Sequence, residues 1–248
     1  MIAPSTIQAP VVRDLLVTDL SIRNLGLAGT PRPSPRDVPP RATVDAAAIH
    51  RGLPPAPRLR ADALMEAVLD QSASVEEIND VARRRHQILL IALAHLSARR
   101  SPGAWHVQIS SFDATSPLDL PRTRLDRQGL DHARRALSSP SSGGCSILGP
   151  ALQRANTRLA AFNGPSLLVV LSDFELFDPQ PVVALAALAN NQASEAVAIS
   201  LNREPPTVLL NSRLTTVPVR SDDAPLVLAR AIVDAARRCA AGSQELAP

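Results

Sequence analysis

The sequence predicts an α/β protein with a doubly wound, mostly parallel sheet flanked by helices on both faces. Short apolar segments typical of buried strands alternate with segments of ten or more residues that have the character of helices. Parallel strands need helical crossovers, and this alternation supplies them. Apolar residues make up 45% of the 248 residues, which is enough for a sizeable core. Aromatic residues are only 2%, so the core must consist mainly of Leu, Val, Ile and Ala.

Residues 1–60 are predicted to form a Pro/Arg-rich N-terminal arm that is largely extended or disordered. They contain ten of the 23 prolines, and Pro lacks the N–H that helices and central strands need. A short apolar piece at 11–27 is expected to be a loose tail or one small docking element. The arm carries eight Arg and four Asp, a net charge of +4 that leaves −1 on the rest of the chain. A nearly neutral folded part argues against a nucleic-acid platform, which normally has a basic face and stacking aromatics.

The folded domain is predicted to span 61–242, and it begins with two strands around a helix. ALMEAVLD (63–70) is a continuous apolar run of strand length. Residues 76–100 form a long segment that becomes apolar all round, as in a helix packed on a sheet. WHVQISSF (105–112) alternates as a strand does, and a short return strand is predicted at 117–122.

The second half of the domain continues the alternation. Residues 125–137 and 147–162 have the amphipathic period of helices, with Asn163-Gly164 as a stop signal. SLLVVLSD (166–173) is the most apolar strand and is therefore predicted to be central. The remaining elements are a helix at 181–191 after the start signal Asp178-Pro179, a strand at 195–202, a last strand or a hairpin within 207–219, and a closing helix at 224–241.

Polar side chains follow the predicted strands at the edge where their carboxyl ends meet. Open α/β sheets bind ligands beyond this edge, at the point where the strand order reverses. The carboxylates there are Asp70 and Asp173, and the hydroxyls are those of Ser72, Ser74 and Ser146. This oxygen-only set suits Mg²⁺ or Mn²⁺, whereas zinc favours imidazole and thiolate ligands. Two carboxylates and three neutral oxygens leave a position open for an incoming carboxylate.

Each of these side chains, taken alone, has a simpler explanation. Ser74 and Glu77 fit a capping box, Ser146 would cap the helix that follows it, and Asp70 would cap a turn. Cys145 beside them would be a reactive thiol at a helix N-terminus or a plain small residue. Their common position at one edge of the predicted sheet favours one metal site over separate caps. Elsewhere, Arg83-Arg84-Arg85 is predicted to be a solvated helix face.

Three motifs resemble the metal-ion-dependent adhesion site of von Willebrand factor A domains. VLDQSAS resembles the family's DxSxS element, GCSILGPAL its Gly-Gly-Thr element, and VVLSDFE its Ser-Asp-Gly element. The resemblance covers nearly all of the chain outside the arm, and it implies that Asp70, Ser72 and Ser74 hold the metal directly or through water. Ser146 would stand in the place of the family's Thr, and Asp173 would act mainly through water. An Asp or Glu of a partner protein would complete the coordination.

The sequence departs from the family's pattern beside these residues. Ser146 keeps the hydroxyl of the family's Thr and loses the methyl group, and Cys145 replaces a Gly. Phe174 replaces the Gly that follows the third-motif Asp, which would narrow the approach to the site. None of these departures removes a ligand.

The resemblance implies a metal-dependent protein–protein interaction module and not an enzyme. Cytoplasmic bacterial members of this family often work beside MoxR-type AAA+ ATPases or in multi-gene stress and defence systems, so a recruiting subunit of such a machine is one expectation. A cytoplasmic location without membrane or nucleic-acid partners is expected, because no signal sequence and no membrane-length apolar run is seen. Two alternatives stay open: a metal-dependent hydrolase or phosphotransferase using Asp70 and Asp173, and a von Willebrand A scaffold without metal. Against the first, the sequence has no Lys to steady a phosphoryl group.

Overall fold

A computed structural model describes residues 45–72, 74–75, 85–113, 119–137, 144–220 and 223–245. Within them the strands are β1 (Ala63–Asp70), β2 (Trp105–Phe112), β3 (Asp119–Arg124), β4 (Ser166–Ser172), β5 (Glu195–Leu201) and β6 (Thr215–Val219). They form one sheet in the order β3-β2-β1-β4-β5-β6. The β2–β3 pair is antiparallel, and the other neighbouring pairs are parallel. The predicted fold class is confirmed, with β4 in the interior of the sheet.

Helices cover both faces of this sheet. The described helices are α1 (Ala46–Gly52), α2 (Arg85–Ser97), α3 (Arg127–Leu137), α4 (Leu148–Ala160), α5 (Pro181–Ala189), α6 (Thr207–Leu210) and α7 (Pro225–Glu245). Successive strand side chains point to opposite faces, so Met65 and Leu69 enter the core layer beneath α1, α2, α3 and α7. Leu64 and Val68 enter the layer beneath α4, α5 and α6. No helix in the described part of the chain combines the length and apolar character needed to cross a bilayer.

The first described segment, 45–60, belongs to the domain. Asp45 caps α1 by accepting a hydrogen bond of 3.0 Å from the Ala48 N–H. The expectation of an extended or disordered arm through residue 60 therefore needs correction for 45–60, and the domain begins before residue 61. The prediction considered proline content and overlooked the apolar side chains between the prolines, which are buried in the structure. They are Ile49, Leu53, Ala56 and Leu59, which join the core beneath α1, α2 and α7; residues 1–44 lie outside the described part.

Other elements differ from the sequence expectations. The return strand predicted at 117–122 is described from Asp119 and ends at Arg124, two residues beyond the predicted end, while 117–118 lie outside the described part. Within 207–219 the hairpin alternative is wrong, because the short helix α6 precedes a single strand, β6, that is parallel to β5. The closing helix α7 continues to Glu245. The predicted helix at 76–100 is described only as α2, and residues 76–84 lie outside the described part.

One ion pair fixes α4 against the sheet. Glu66 of β1 is fully buried, and its Oε1 accepts a hydrogen bond of 3.1 Å from Arg158 of α4. Arg158 also donates to Ser110 of β2 at 2.8 Å and to Asp119 of β3 at 2.5 Å. Burial raises the pKa of Glu66 to about 6, although the nearby Arg158 opposes that rise. The pair thus joins one helix to three strands at the cost of desolvating a carboxylate.

Replacing Arg158 by Met should destabilise the protein by about 2–3 kcal/mol at pH 8 and by less at pH 5. A buried carboxylate without its partner destabilises the folded state. Because Arg158 is partly exposed, the expected loss of stability lies toward the low end of the range for buried ion pairs. The pKa of Glu66 in the folded protein exceeds its ordinary value, so stability falls as pH rises from 4.5 through about 6. Losing Arg158 raises this pKa further and enlarges that fall. Urea unfolding at the two pH values measures it.

The same substitution at Arg154, which lies on the same helix, serves as the matched control and should cost little at either pH. The double variant Glu66→Gln/Arg158→Met should recover part of the loss at pH 8, because it no longer buries a charge. Equal losses at pH 5 and pH 8 for Arg158→Met would contradict the assignment.

Candidate metal centre

Neighbouring strands bring the two predicted carboxylates to one edge of the sheet. Asp70 is the last residue of β1, and Asp173 directly follows β4. These strands are adjacent, with Leu69 opposite Leu171, and the strand order reverses between them. The edge beyond such a reversal is where α/β sheets of this kind bind ligands. Asp70 and Asp173 are 0% and 1% exposed, so both lie within the protein, close enough for the charge of Asp173 to raise the pKa of Asp70.

The Asp70 carboxylate is the centre of the hydrogen-bond network at this edge. Its Oδ2 accepts a hydrogen bond of 2.6 Å from the Ser172 hydroxyl, and its Oδ1 accepts one of 2.9 Å from the Ser72 N–H. The Ser146 hydroxyl lies 3.3 Å from Oδ1 and 3.2 Å from Oδ2. The Ser72 hydroxyl in turn lies 3.0 Å from that of Ser74. The structure therefore brings Asp70, Ser72, Ser74 and Ser146 together as the sequence predicted.

Asp173 completes the set with an oxygen that lacks a partner. Its Oδ1 accepts a hydrogen bond of 3.0 Å from the Glu175 N–H. Its Oδ2 is buried, and no group in the described residues hydrogen-bonds to it. A buried carboxylate oxygen without a donor is costly and is uncommon in folded proteins. It indicates a position for a positively charged or proton-donating ligand.

The electrostatics of the two carboxylates point the same way. Burial is the largest cause that raises the pKa of Asp70, and the negative charge of Asp173 raises it further. The hydrogen bonds from Ser172 and Ser72 oppose these effects. The site thus stabilises negative charge only in part, and a cation between the carboxylates would supply the rest. In the described ranges no three His, Cys, Asp or Glu side chains are placed so that they could hold a metal ion together, so the candidate donor set is two carboxylates with hydroxyls.

This donor set fits a small divalent cation. All its atoms are hard oxygens, and Mg²⁺ is commonly held by one or two carboxylates together with neutral oxygens and water. Cys145 is exposed in the loop before α4, and the structure gives it no part in the network around Asp70.

The Ser146 hydroxyl does not cap the helix that follows it. The first residue before α4 is Ile147, which makes no side-chain capping bond, and the Ser146 hydroxyl is directed to Asp70. The cap comes from Asp178, whose carboxylate accepts hydrogen bonds of 2.8 Å from Leu148 N–H and 2.7 Å from Gly149 N–H. The Phe177 N–H also donates to the Ser146 carbonyl at 2.8 Å. The loop after β4 therefore holds Ser146 in place.

The role of Asp178 corrects a sequence expectation. Asp178-Pro179 was expected to start the helix at 181–191, but the cap position of α5 is Gln180, which makes no side-chain bond. Asp178 instead caps α4, thirty residues earlier in the chain. No local pattern in the sequence indicates a cap between such distant segments.

Three further residues at this edge escaped the sequence analysis. Arg85, expected on a solvated face, is 1% exposed and donates from Nε to the backbone carbonyl of Asp70 at 3.2 Å. Ser172 anchors Asp70 and could have been found, since it immediately precedes Asp173 at the end of the most apolar strand. Asp113 follows β2, beside the end of β1, and is also buried. Glu77, the expected partner of Ser74 in a capping box, lies outside the described residues.

Phe174 has an unusual backbone where the resemblance expects Gly. Its φ is 57°, in the left-handed region that favours Gly. Its N–H donates to the Ser172 hydroxyl at 2.8 Å, and its half-buried side chain packs against the core layer beneath α4 and α5. Phe174 therefore has the left-handed backbone conformation that the Gly of the family's motif would adopt.

Asp178→Ala should lower the free energy of unfolding by about 1–2 kcal/mol, because two N–H groups at the start of α4 lose their acceptor. Asp178→Asn keeps one acceptor oxygen and should lose less. Urea unfolding of the three proteins gives the order. An Ala variant as stable as the original protein would show that the cap contributes nothing.

Asp70→Asn should raise stability at pH 7 in the presence of EDTA. Asn has the same shape, keeps an acceptor for the Ser72 N–H and removes a charge that burial and Asp173 disfavour. Because the pKa of Asp70 is raised in the folded protein, its charged form lowers stability above that pKa and contributes nothing well below the ordinary value of 3.8. The gain should therefore shrink as pH falls toward 3, in thermal unfolding followed by circular dichroism.

Asp131→Asn, on the exposed surface of α3, is the control for Asp70→Asn and should change little. A marked loss of stability for Asp70→Asn at pH 7 would show that the carboxylate is balanced by its hydrogen bonds alone.

Comparisons with known proteins find similarity in structure and not in sequence. No protein-family model matches the chain, and no curated protein matches it. The pilus adhesin SpaC from Lactobacillus rhamnosus GG superposes with a TM-score of 0.55 at 11% identity, covering 75% of this chain and 31% of the adhesin. A von Willebrand factor type A protein from Catenulispora acidiphila gives 0.51 at 16% identity, covering 72% and 43%.

BatB from Bacteroides thetaiotaomicron gives a TM-score of 0.54 at 14% identity, covering 72% of this chain and 99% of BatB. This chain thus spans about a third of the adhesin and less than half of the Catenulispora protein, but matches BatB over its whole length. Identities this low establish the fold and nothing finer. With the strand order and the doubly wound layers described above, they show that this chain has a von Willebrand factor A-like fold.

Proposed function

We propose that this chain is a protein-interaction module that binds a partner through a divalent cation, Mg²⁺ or Mn²⁺, held at the carboxyl edge of its sheet. The observation that carries the proposal is the buried, unpartnered Oδ2 of Asp173 at the same sheet edge as the buried carboxylate of Asp70, on which the charge of Asp173 acts. When bound, the cation supplies an open coordination position for a carboxylate of the partner protein.

Asp70, Ser72, Ser74, Ser146 and Asp173 are the proposed metal-binding residues. Asp70 is rigid, since Ser172 and the Ser72 N–H hold its two oxygens in place. The hydroxyls of Ser72, Ser74 and Ser146 supply neutral oxygens, and Asp173 supplies charge either directly or through water. Ser172 orients Asp70 and is proposed to tune metal affinity without contacting the metal.

A carboxylate is the partner group that this site favours. Two carboxylates of the domain balance the charge of a divalent cation but do not fill its coordination sphere, and hard cations take further oxygen ligands. An Asp or Glu of the partner supplies such an oxygen. The proposal extends to a MoxR-type AAA+ ATPase, or a substrate of one, as the partner; this extension rests on the family resemblance alone.

Mg²⁺ and Mn²⁺ should stabilise the wild-type domain and leave Asp70→Asn unaffected. A ligand at a hundred times its Kd stabilises a folded protein by about 2.7 kcal/mol, so the melting temperature rises with metal concentration. Ser172→Ala should weaken metal binding by about tenfold, as is common for residues that orient a ligand. Calorimetric titration gives the affinities, and the melting curves confirm that each variant is folded.

Asp131→Asn should bind metal as the wild type does, which controls for loss of surface charge. Ser146→Thr, which restores the family's residue, should bind at least as well. A wild-type domain that neither binds nor is stabilised by Mg²⁺ or Mn²⁺ would overturn the proposal and leave a von Willebrand A scaffold without metal. Metal-dependent turnover of a phosphoester panel, lost in Asp70→Asn, would favour the hydrolase instead.

A further inference from the structure

The large apolar side chains that remain exposed are confined to one side of the described domain. They are Phe177, Val182, Val183, Val208 and Leu210. The first three follow β4, and the last two lie in α6, which contacts α5. Both helices pack on the same core layer, through Leu188 and Leu209. Isolated exposed apolar residues are ordinary, but a group of this kind marks an interaction surface more often than chance.

The helix α5 lacks the polar outer face expected of a surface helix. All nine of its residues are apolar or Pro, and of these only Ala184 and Leu188 are buried. Val182 is 72% exposed and Val183 is 58% exposed, both in the first turn. A helix that is apolar all round is normally covered on every side. The first turn of α5 is therefore suited to contact with another molecule.

Phe177 connects this turn to the candidate metal centre. It is 66% exposed, and its N–H donates to the carbonyl of Ser146. The loop that carries it starts at Asp173 and ends at Asp178, which is held by its bonds to the start of α4. The Phe177 side chain therefore extends into solvent. Its backbone is held by hydrogen bonds at Phe177 and Asp178, close to the proposed ligand Ser146.

We propose that Phe177, Val182 and Val183, here termed the apolar rim, form the second half of the partner-binding surface. The partner is a protein segment that carries an Asp or Glu with a large apolar side chain nearby in sequence. The carboxylate reaches the metal centre while the apolar side chain packs on the rim. This inference rests on the proposed function, since the metal centre fixes where the partner's carboxylate lies.

A partner segment accounts for the apolar rim better than a second copy of this chain. Three side chains bury at most a few hundred Å², whereas a stable interface buries about 800 Å² on each partner. The rim is too small to hold a dimer but large enough to add to a metal contact. Glu175, which lies in the loop after β4, is paired with Arg203, so the charge of Glu175 is already balanced within the described residues. Apolar contact is therefore the feature by which this loop would select a partner.

Fluorescent synthetic peptides test the apolar rim directly. Each carries one Glu in a Gly/Ser background, with Leu-Leu or Ser-Ser placed one to five residues to either side, and matched versions carry Gln in place of Glu. In Mg²⁺, the best Leu-Leu peptide should bind the wild-type domain about tenfold more tightly than its Ser-Ser counterpart. The variant Phe177→Ser/Val182→Ser/Val183→Ser should reduce this preference to less than about twofold.

The controls separate failure of the rim from failure of the metal centre. Mg²⁺ titration without peptide should give the same affinity for the wild type and the triple variant; no Mg²⁺ binding by the wild type defeats the proposed function itself. Leu210→Ser, an exposed apolar side chain on α6, should keep the preference. Mg²⁺ binding without any Leu-Leu preference, or a preference that survives in the triple variant, overturns the apolar rim alone. So does a wild-type dimer in sedimentation velocity that the triple variant converts to a monomer.

Discussion

The buried carboxylate of Asp70, at the point where the strand order reverses, is the constraint around which this domain is arranged. Removing a carboxylate from water is costly unless hydrogen bonds and charge replace the lost solvation. Two serine hydroxyls and one N–H supply part of that replacement, and the raised pKa of Asp70 shows that they do not supply all of it. Asp173 adds to the imbalance, since like charges close together disfavour ionisation. A site that is electrostatically incomplete without a ligand is the kind that binds a cation.

The surrounding fold keeps this site rigid. Arg158 fixes the far end of α4 to the sheet, and Asp178 holds the near end, so Ser146, two residues before α4, is held beside Asp70. Arg85 binds the Asp70 carbonyl from the opposite helical layer. Both layers of helices thus contribute to positioning one carboxylate. Ligand residues fixed by their supporting contacts bind a metal more tightly than residues that must be ordered at the time of binding.

The sequence was informative where the physics is local and less so where it depends on distant contacts. Continuous apolar runs predicted β1 and β4 within a residue of their ends, because a strand buried on both faces leaves no other pattern. The candidate ligands followed from what comes directly after those strands. The cap of α4 by Asp178 and the burial of Arg85 could not be predicted this way, since each depends on a segment far along the chain. The packing of 45–60 on the domain was not predicted for a related reason. Proline content limits the secondary structure of a segment, whereas burial depends on contacts between its apolar side chains and the rest of the domain.

Phe174 shows how closely backbone and site depend on each other. A non-Gly residue in the left-handed region costs about 1 kcal/mol or more, and it persists only where its surroundings enforce it. Here its N–H binds the same Ser172 hydroxyl that donates to Asp70, so the turn and the orientation of the carboxylate share one hydrogen-bonded group. That turn also directs the chain toward Phe177 and Asp178. The backbone of Phe174 is therefore linked through Ser172 to the orientation of Asp70, and the segment that follows this turn carries both the cap of α4 and the apolar rim.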